Sequence, residues 1–453
     1  MSSPEHSAQS AHGSPWPAPT ASAPLQARLA IPGSKSLTNR ELVLAALADG
    51  PSVLRAPLHS RDSALMIQAL RSLGVTIEEG TQGAYGPDLI ITPGPLRGGV
   101  SIDCGLAGTV MRFAPLVAAL AEGRVTFDGD EAARRRPMSG TIEALRALGV
   151  ELEDEGRGTL PFTLVATGEV AGGEIEIDAS ASSQFVSALL LAAPRFRDGL
   201  TLRHTGERLP SLPHIDMTVQ ALRQRGVRVS SPERGVWLVE PGPIHGIELT
   251  IEPDLSNAAP FLTAALVAGG TVSIEHWPSE TTQVGDDLRG LLSQFGATVT
   301  YRDGILTVDG GAGVIGGATL PGLDLDLSHA GELTPPLAML AALASGPSTL
   351  NGIGHLRGHE TDRLAALVAE IRSVGGNAEE LPDGLAITPA PLHGALWHAY
   401  EDHRMATAGA ILGLAVPGIA VDDIASTSKT LPEFPQLWAA MLTQVADAAT
   451  PTE

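Results

Sequence analysis

The sequence predicts an α/β protein of two pseudo-threefold domains, assembled from six βαβαβ-type repeats whose first helices are buried. Three observations predict this. A helix-like segment rich in Ala and Leu and ending at a small residue recurs six times, about 70–75 residues apart. These segments are apolar nearly all round, which places them inside a body rather than on its surface. Most are followed by a second, amphipathic segment closed by glycine, the residue wanted at a left-handed helix C-cap. Solenoid units of about 20–50 residues stack in a line without a shared centre. Longer units with wholly apolar helices instead close around a common helical core. Two bodies of three units leave a cleft between them, the expected ligand site.

The units follow one another in order. In the first, an apolar helix over 39–50 leads into a strand at 52–54, then a helix over 64–73 stopped by Gly74. The second has its apolar helix at 108–123, a strand at 125–127 and a helix over 141–148 before Gly149. The third reads as a helix over 183–194 and a second over 217–225, closed by Gly226. Residues 256–269, 271–274 and 286–295 repeat the series, ending at Gly296. The fifth unit has helices over 332–346 and 362–374, with Gly375 after the second. The sixth begins at 403–414 and continues as a strand at 418–421. Alternating apolar residues after each stop begin the next strand. The expected boundaries are a disordered tail over 1–22, one three-repeat domain over 34–252, and a second formed by 23–33 with 253–447.

Composition narrows the function. A chain of 453 residues, 43% hydrophobic and 18% charged, has material for more than one core and reads as a soluble globular protein. With 4% aromatic residues, those cores must be packed with Leu, Ala, Val and Ile. The net charge of −22 opposes wholesale binding of nucleic acid or an anionic membrane. A small anion is still admissible, because charges are screened beyond about 8–10 Å at cellular salt. Cys104 is the one cysteine, so no intramolecular disulfide or multi-cysteine metal cluster can form. Residues 1–22 have neither the charged and apolar regions of a signal peptide nor a transit peptide's arginines. No run nears the roughly 18 apolar residues of a membrane span, so the expectation is a cytoplasmic protein.

Of 29 lysines and arginines only Lys35 and Lys429 are lysine. On a solvated face either cation serves, so a retained Lys marks a place for a compact charge or a proton-handling amine. Both lie in polar, small-residue stretches expected to be loops. The starts of the apolar helices are also unusual: Ser34-Lys35-Ser36 with Arg40, Gly108-Thr109 with Arg112, Ser182-Ser183-Gln184, and Asp402-His403-Arg404. Singly, such residues are ordinary N-caps. Together they put cations at the heads of buried helices, where an unpaired charge is costly. Helix N-termini carry unpaired N–H groups and a positive dipole end, so the economical reading is a polyanion site lined from both domains.

These motifs make the family recognisable. The stretch from about 24 to 445 resembles the EPSP synthase (3-phosphoshikimate 1-carboxyvinyltransferase) family. Pro32-Gly33-Ser34-Lys35-Ser36, Ala107-Gly108-Thr109, Arg136-Pro137, Ser182-Ser183-Gln184-Phe185, Glu360-Thr361-Asp362-Arg363 and Asp402-His403-Arg404-Met405 are similar in order and spacing. The resemblance implies an inside-out barrel fold and transfer of the enolpyruvyl group of phosphoenolpyruvate to the 5-hydroxyl of shikimate 3-phosphate, with release of phosphate. It implies no metal or organic cofactor, and a monomer. By motif, Lys35, Gly108, Arg136, Gln184, Arg363, Arg404 and Lys429 are implied for phosphoenolpyruvate. Ser36, Arg40, Ser182, Ser183, Gln184, Ser211, Glu332, His355 and His359 are implied for shikimate 3-phosphate. Lys35, Glu332, Glu360, His403 and Lys429 form the implied catalytic set. The chemistry agrees: a proton goes to a methylene carbon and another leaves an alcohol, under a cationic field. Glyphosate is implied to occupy the phosphoenolpyruvate site beside Gly108.

Three positions depart from the family pattern: Leu106 stands in place of a frequent Asn, His214 of Tyr in some members, and His359 of Lys in many. His359 leads us to expect phosphate binding that is pH-sensitive near neutrality. UDP-N-acetylglucosamine enolpyruvyl transferase shares the architecture but carries a reactive loop Cys, whereas residues 130–136 contain none. A non-catalytic scaffold binding nucleic acid through basic helix ends is opposed by the net charge.

Overall fold

The computed structural model describes residues 14–444. Its six first helices are Lys35–Ala46, Gly108–Ala118, Gln184–Ala192, Leu255–Ala268, Thr334–Ala342 and His403–Gly413. The first three touch one another, and so do the last three. Gly108–Ala118, Leu255–Ala268 and Thr334–Ala342 are buried along their whole length. That follows from sequence, since an all-apolar helix has no face to offer water.

Four of these helices are the crossover of a parallel strand pair, a connection that antiparallel hairpins do not need. In the second unit Val100–Asp103 pairs parallel with Glu122–Asp128, and Gly108–Ala118 lies between them. The strand Phe162–Thr167 then adds antiparallel, followed by Glu151–Glu153. Four other units repeat this four-stranded order. The first unit borrows its parallel partner, Glu248–Thr250, from the far end of the first three-unit body, which closes the ring. Likewise Leu25–Leu29 pairs parallel with Gly270–Ile274 and closes the second ring.

The amphipathic second helices cover these centres, and their terminal glycines adopt positive φ: Gly74 106°, Gly149 82°, Gly226 82°, Gly296 101° and Gly375 88°. The anticipated C-caps are therefore present. Two separate hydrophobic cores result, one drawn from residues between Leu42 and Ile244, the other from Ala18–Ile31 and Leu255–Met441. The chain passes between them twice, where Gly33 bridges Pro253 antiparallel. A Cβ on Gly33 would lie 2.4 Å from the Ala56 carbonyl oxygen, so this crossing tolerates only glycine.

Three local expectations change. Of the tail expected at 1–22, residues 1–13 lie outside the described residues. Trp16–Pro17, however, form a strand against Ala420–Val421, and Ala18 is buried. The sixth sheet has three strands, and this N-terminal strand stands where the other units place a hairpin. Lys35 is not in a loop but opens its helix, because Ser34 Oγ accepts from Leu37 N (3.4 Å) and starts the first turn there. Lys429 similarly ends a 3₁₀ helix, Ile424–Lys429.

Candidate active site

The polar helix starts converge on one cleft between the two cores, holding about 810 Å³ of open space including its mouth. The first body contributes Lys35, Gly108, Arg136, Ser182, Ser183, Gln184 and Ser211. The second contributes Glu332, His355, His359, Glu360, Arg363, His403 and Arg404. Ser36 lines an adjoining recess with Lys35, Glu332 and Arg404. Lys429 reaches the cluster from behind, its Nζ donating to Glu360 Oε1 at 2.6 Å.

Arg40 is the exception. Its buried guanidinium donates to Thr218 Oγ1 (2.8 Å), Ser36 O (2.9 Å), Ser187 Oγ (3.3 Å) and His214 O (2.9 Å). These bonds use its fork beneath the cleft, so it braces the backbone under Ser36 and His214 rather than facing a ligand. Arg40 lies one turn on from Ser36 along the same helix, which lets its guanidinium reach back to the Ser36 carbonyl.

Two carboxylates stand among the cations. Glu332 sits in a one-turn helix, Gly331–Leu333, that leads into Thr334–Ala342. Its Oε2 accepts from Arg404 Nη2 (2.9 Å) and Ser256 Oγ (3.1 Å), while Oε1 faces His214 Nε2 at 3.6 Å. Burial pushes this carboxyl up, but Arg404, His214 and Lys35 together override it and hold it well below the usual carboxylate range. Glu360 joins Lys429 to Arg363, whose Nη2 donates to its Oε2 at 2.9 Å. It too is held well below its ordinary value: burial acts upward, but Lys429, Arg363 and Arg136 outweigh it. Both carboxylates are thus ionised at neutral pH. Burial lowers the Lys429 ammonium, with Glu360 acting against the shift.

Asp402 organises two arginines. It takes Arg363 Nε at 2.7 Å and caps the His403–Gly413 helix through Arg404 N at 2.9 Å. The histidines of the cleft are neutral. Burial and the Arg363 charge drive His359 well below its ordinary value, and its Nδ1 accepts from Arg363 Nη1 at 3.2 Å. Burial and Arg363 thus oppose protonation of His359, whose titration the sequence placed near neutrality. His403 is likewise driven well down by burial, then by Arg404 and Lys35.

Several buried polar atoms lack a protein partner among the described residues: Arg112 Nε, Arg136 Nε, Gln184 Oε1, His355 Nε2 and both His403 ring nitrogens. Such groups are costly to leave unpaired, and all five of these residues line the cleft. Arginine N–H donors select an anion, and their planar fork suits phosphate or carboxylate. A Cβ on Gly108 would stand 3.1 Å from Gln184 Oε1, 3.2 Å from Arg136 Nη2 and 3.3 Å from Arg112 Nη1. Glycine there keeps this cradle open.

Three charged or titratable lining residues carry no role from sequence: Arg112, there a helix-head cation, His214, there a departure from the family pattern, and Asp62, which no motif singles out. Arg112 follows Gly108 by one helical turn and so faces the same cleft. Asp62 lies 3.9 Å from Lys35 Nζ but comes from the neighbouring Arg61–Ser72 helix, so spacing carries no hint of it. Cys104 is fully buried after Val100–Asp103, and burial pushes its thiol up to about 12, which removes it as a nucleophile.

Comparison with known proteins places the chain in a family. Residues 19–438 match the family model for EPSP synthase (3-phosphoshikimate 1-carboxyvinyltransferase). The chain is 58% identical over 434 residues to the 3-phosphoshikimate 1-carboxyvinyltransferase of Kocuria rhizophila, covering 94% of this chain and 96% of that protein. Two solved structures of EPSP synthase from Acinetobacter baumannii share the fold. One has a TM-score of 0.76 at 23% identity, covering 94% of this chain and 97% of its own. The other has 0.75 at 22%, covering 94% and 98%.

Proposed function

The chain belongs to the EPSP synthase (3-phosphoshikimate 1-carboxyvinyltransferase) family, and on that premise we propose how its cleft carries out the reaction. The protein is a transferase of the shikimate pathway. Its substrates are phosphoenolpyruvate and shikimate 3-phosphate, and its products are 5-enolpyruvylshikimate 3-phosphate and phosphate. Both halves of the cleft come from one chain, which is consistent with action as a monomer.

In this reading Ser36, Ser182, Ser183, Gln184, Ser211, His355 and His359 hold shikimate 3-phosphate, with Glu332 at its 5-hydroxyl. Lys35, Gly108, Arg136, Gln184, Arg363, Arg404 and Lys429 hold phosphoenolpyruvate, and Arg112 adds a donor beside Gly108. Glu332 is ionised by its cationic neighbours, so it can accept the hydroxyl proton as the 5-oxygen bonds to C2 of phosphoenolpyruvate. C3 takes up a proton in the same addition. The tetrahedral adduct then loses phosphate from C2 and a proton from C3, which restores the enol ether.

The proton for C3 is assigned to the Glu360–Lys429 pair, with Lys35 alongside. Lys429 Nζ donates to Glu360 Oε1 across 2.6 Å, a direct path for a proton between them. Burial already weakens the ammonium's hold, and an arriving substrate anion raises the cost of the carboxylate. Both effects move the proton towards Glu360. His403, neutral and without a partner, is poised beside this pair.

The observation that carries the reading is the placement of two salt-bridged carboxylates from different repeats amid buried, unpartnered arginine donors. Phosphate release from phosphoenolpyruvate on adding shikimate 3-phosphate tests it. Release should occur with both substrates and fall sharply in Glu332→Gln. No release from the wild type, with DNA or RNA retained at physiological salt, would favour a scaffold instead.

A further inference from the structure

Glu370 has no part in the chemistry above, yet it is a carboxylate with 2% exposure that gathers three donors. Its Oε2 accepts from His398 N (2.9 Å), and its Oε1 from His398 Nδ1 (3.2 Å) and Tyr400 OH (2.6 Å). These partners belong to the entry and the body of a turn in which Asp402 N donates to Ala399 O at 2.9 Å. Both central residues, Tyr400 and Glu401, have φ of 55°. Left-handed backbone at two consecutive non-glycine residues is strained and persists only where its surroundings impose it. The next residue is Asp402, which holds Arg363 and the head of the Arg404 helix. Glu370 lies on the Arg363–Ser373 helix, so that one helix grips the turn at two points, Arg363–Asp402 and Glu370–Tyr400.

We propose that Glu370 is a positioning residue: by clamping the strained 398–401 turn it fixes Asp402, and through Asp402 the two arginines Arg363 and Arg404. The inference rests on the assignment of both arginines to phosphoenolpyruvate. The shikimate 3-phosphate contacts come largely from other elements, so loss of the clamp should separate the two substrates. The other holder of the turn, Asp422 Oδ1 accepting from Ala399 N at 2.8 Å, fixes only its entry.

Steady-state kinetics with both substrates, and calorimetric titration of each substrate in the absence of the other, test this in Glu370→Gln and Tyr400→Phe. Glu370→Gln should weaken phosphoenolpyruvate in KM and in Kd by about ten-fold, the scale of one charge-assisted hydrogen bond, with the shikimate 3-phosphate KM within about two-fold. Tyr400→Phe should show the same split in smaller measure. Glu401 is exposed, and glycine adopts φ of 55° without strain. Glu401→Gly should therefore leave the wild type nearly unchanged and restore part of the lost affinity in Glu370→Gln. Equal weakening of both substrates, a lowered Tm with unchanged affinities, or no restoration by Glu401→Gly would each overturn the proposal. If the wild type binds both substrates but releases no phosphate, the proposed reaction falls, while the binding titrations still decide the role of Glu370.

Discussion

Lys35 illustrates what a single residue contributes. Its Nζ lies 3.9 Å from Asp62, and its side chain is 19% exposed to the cleft. A guanidinium is wider than an ammonium and cannot give up its proton, so Lys35→Arg should be damaging along with Lys35→Met. Loss of one charge-assisted contact, about 1.5–3 kcal/mol, corresponds to at least a ten-fold fall in kcat/KM for either variant. Near-wild-type turnover of the Arg variant would contradict this. Gly108 is the second case. A methyl there presses on Gln184, Arg136 and Arg112 at 3.1–3.3 Å, tighter than ordinary contact. Gly108→Ala should raise the KM for phosphoenolpyruvate several-fold and weaken glyphosate inhibition more. Inhibition curves for the two proteins check it, and identical curves would mean that glyphosate does not lie against Gly108.

Among elements, Asp254 serves two helices at once. It caps Leu255–Ala268 by accepting from Asn257 N (3.0 Å), and it accepts from Lys35 N (3.0 Å) at the head of the opposite helix. One buried carboxylate thereby ties the starts of two repeats in different bodies. Removing a cap costs about 1 kcal/mol, and a buried N–H left unpaired costs about 1–3 kcal/mol. Asp254→Ala should lower stability by about 2–4 kcal/mol, measured as a shift in the urea midpoint. A shift no larger than that of an exposed-site control would show that water replaces both bonds. The first helices were legible in sequence because a buried helix needs apolar residues on every side. Their start points were less so, since Ser34 could cap a helix whose first turn is polar.

For the whole molecule, cations from both bodies face one another across the cleft. A bound dianion removes that repulsion, so the protein should compact on adding shikimate 3-phosphate, and small-angle scattering measures it. An unchanged radius of gyration would mean that the resting protein is already closed. Stability should also depend on pH. His214, His355, His359 and His403 all have folded pKa values below the ordinary 6.5. Below that value the unfolded chain binds protons that the folded one refuses. Their stabilisation is therefore complete above pH 6.5 and is lost as pH falls through the acid range. Glu332 and Glu360, depressed from 4.5, add a second loss below that pH. The Tm of the ligand-free protein should fall from pH 7 to 5, and less steeply in His359→Gln. An equal slope in the variant would mean that His359 is protonated in the folded state.

The amino-acid sequence by itself determined the six repeats, the buried helices, the glycine stops and the motif residues that meet in the cleft. Those features are periodic or local: an apolar stripe, a positive-φ cap and a polar helix head each leave a mark within a few residues. Tertiary structure decided which side chains reach the ligand space. Arg40 shares a motif with Lys35 and Ser36, yet four acceptors brought from other segments and its own helix turn it inward. Asp62 enters the cleft only because a neighbouring helix packs beside Lys35. The protonation of His359 was also decided there, since burial and Arg363 act through space and carry no signature along the chain.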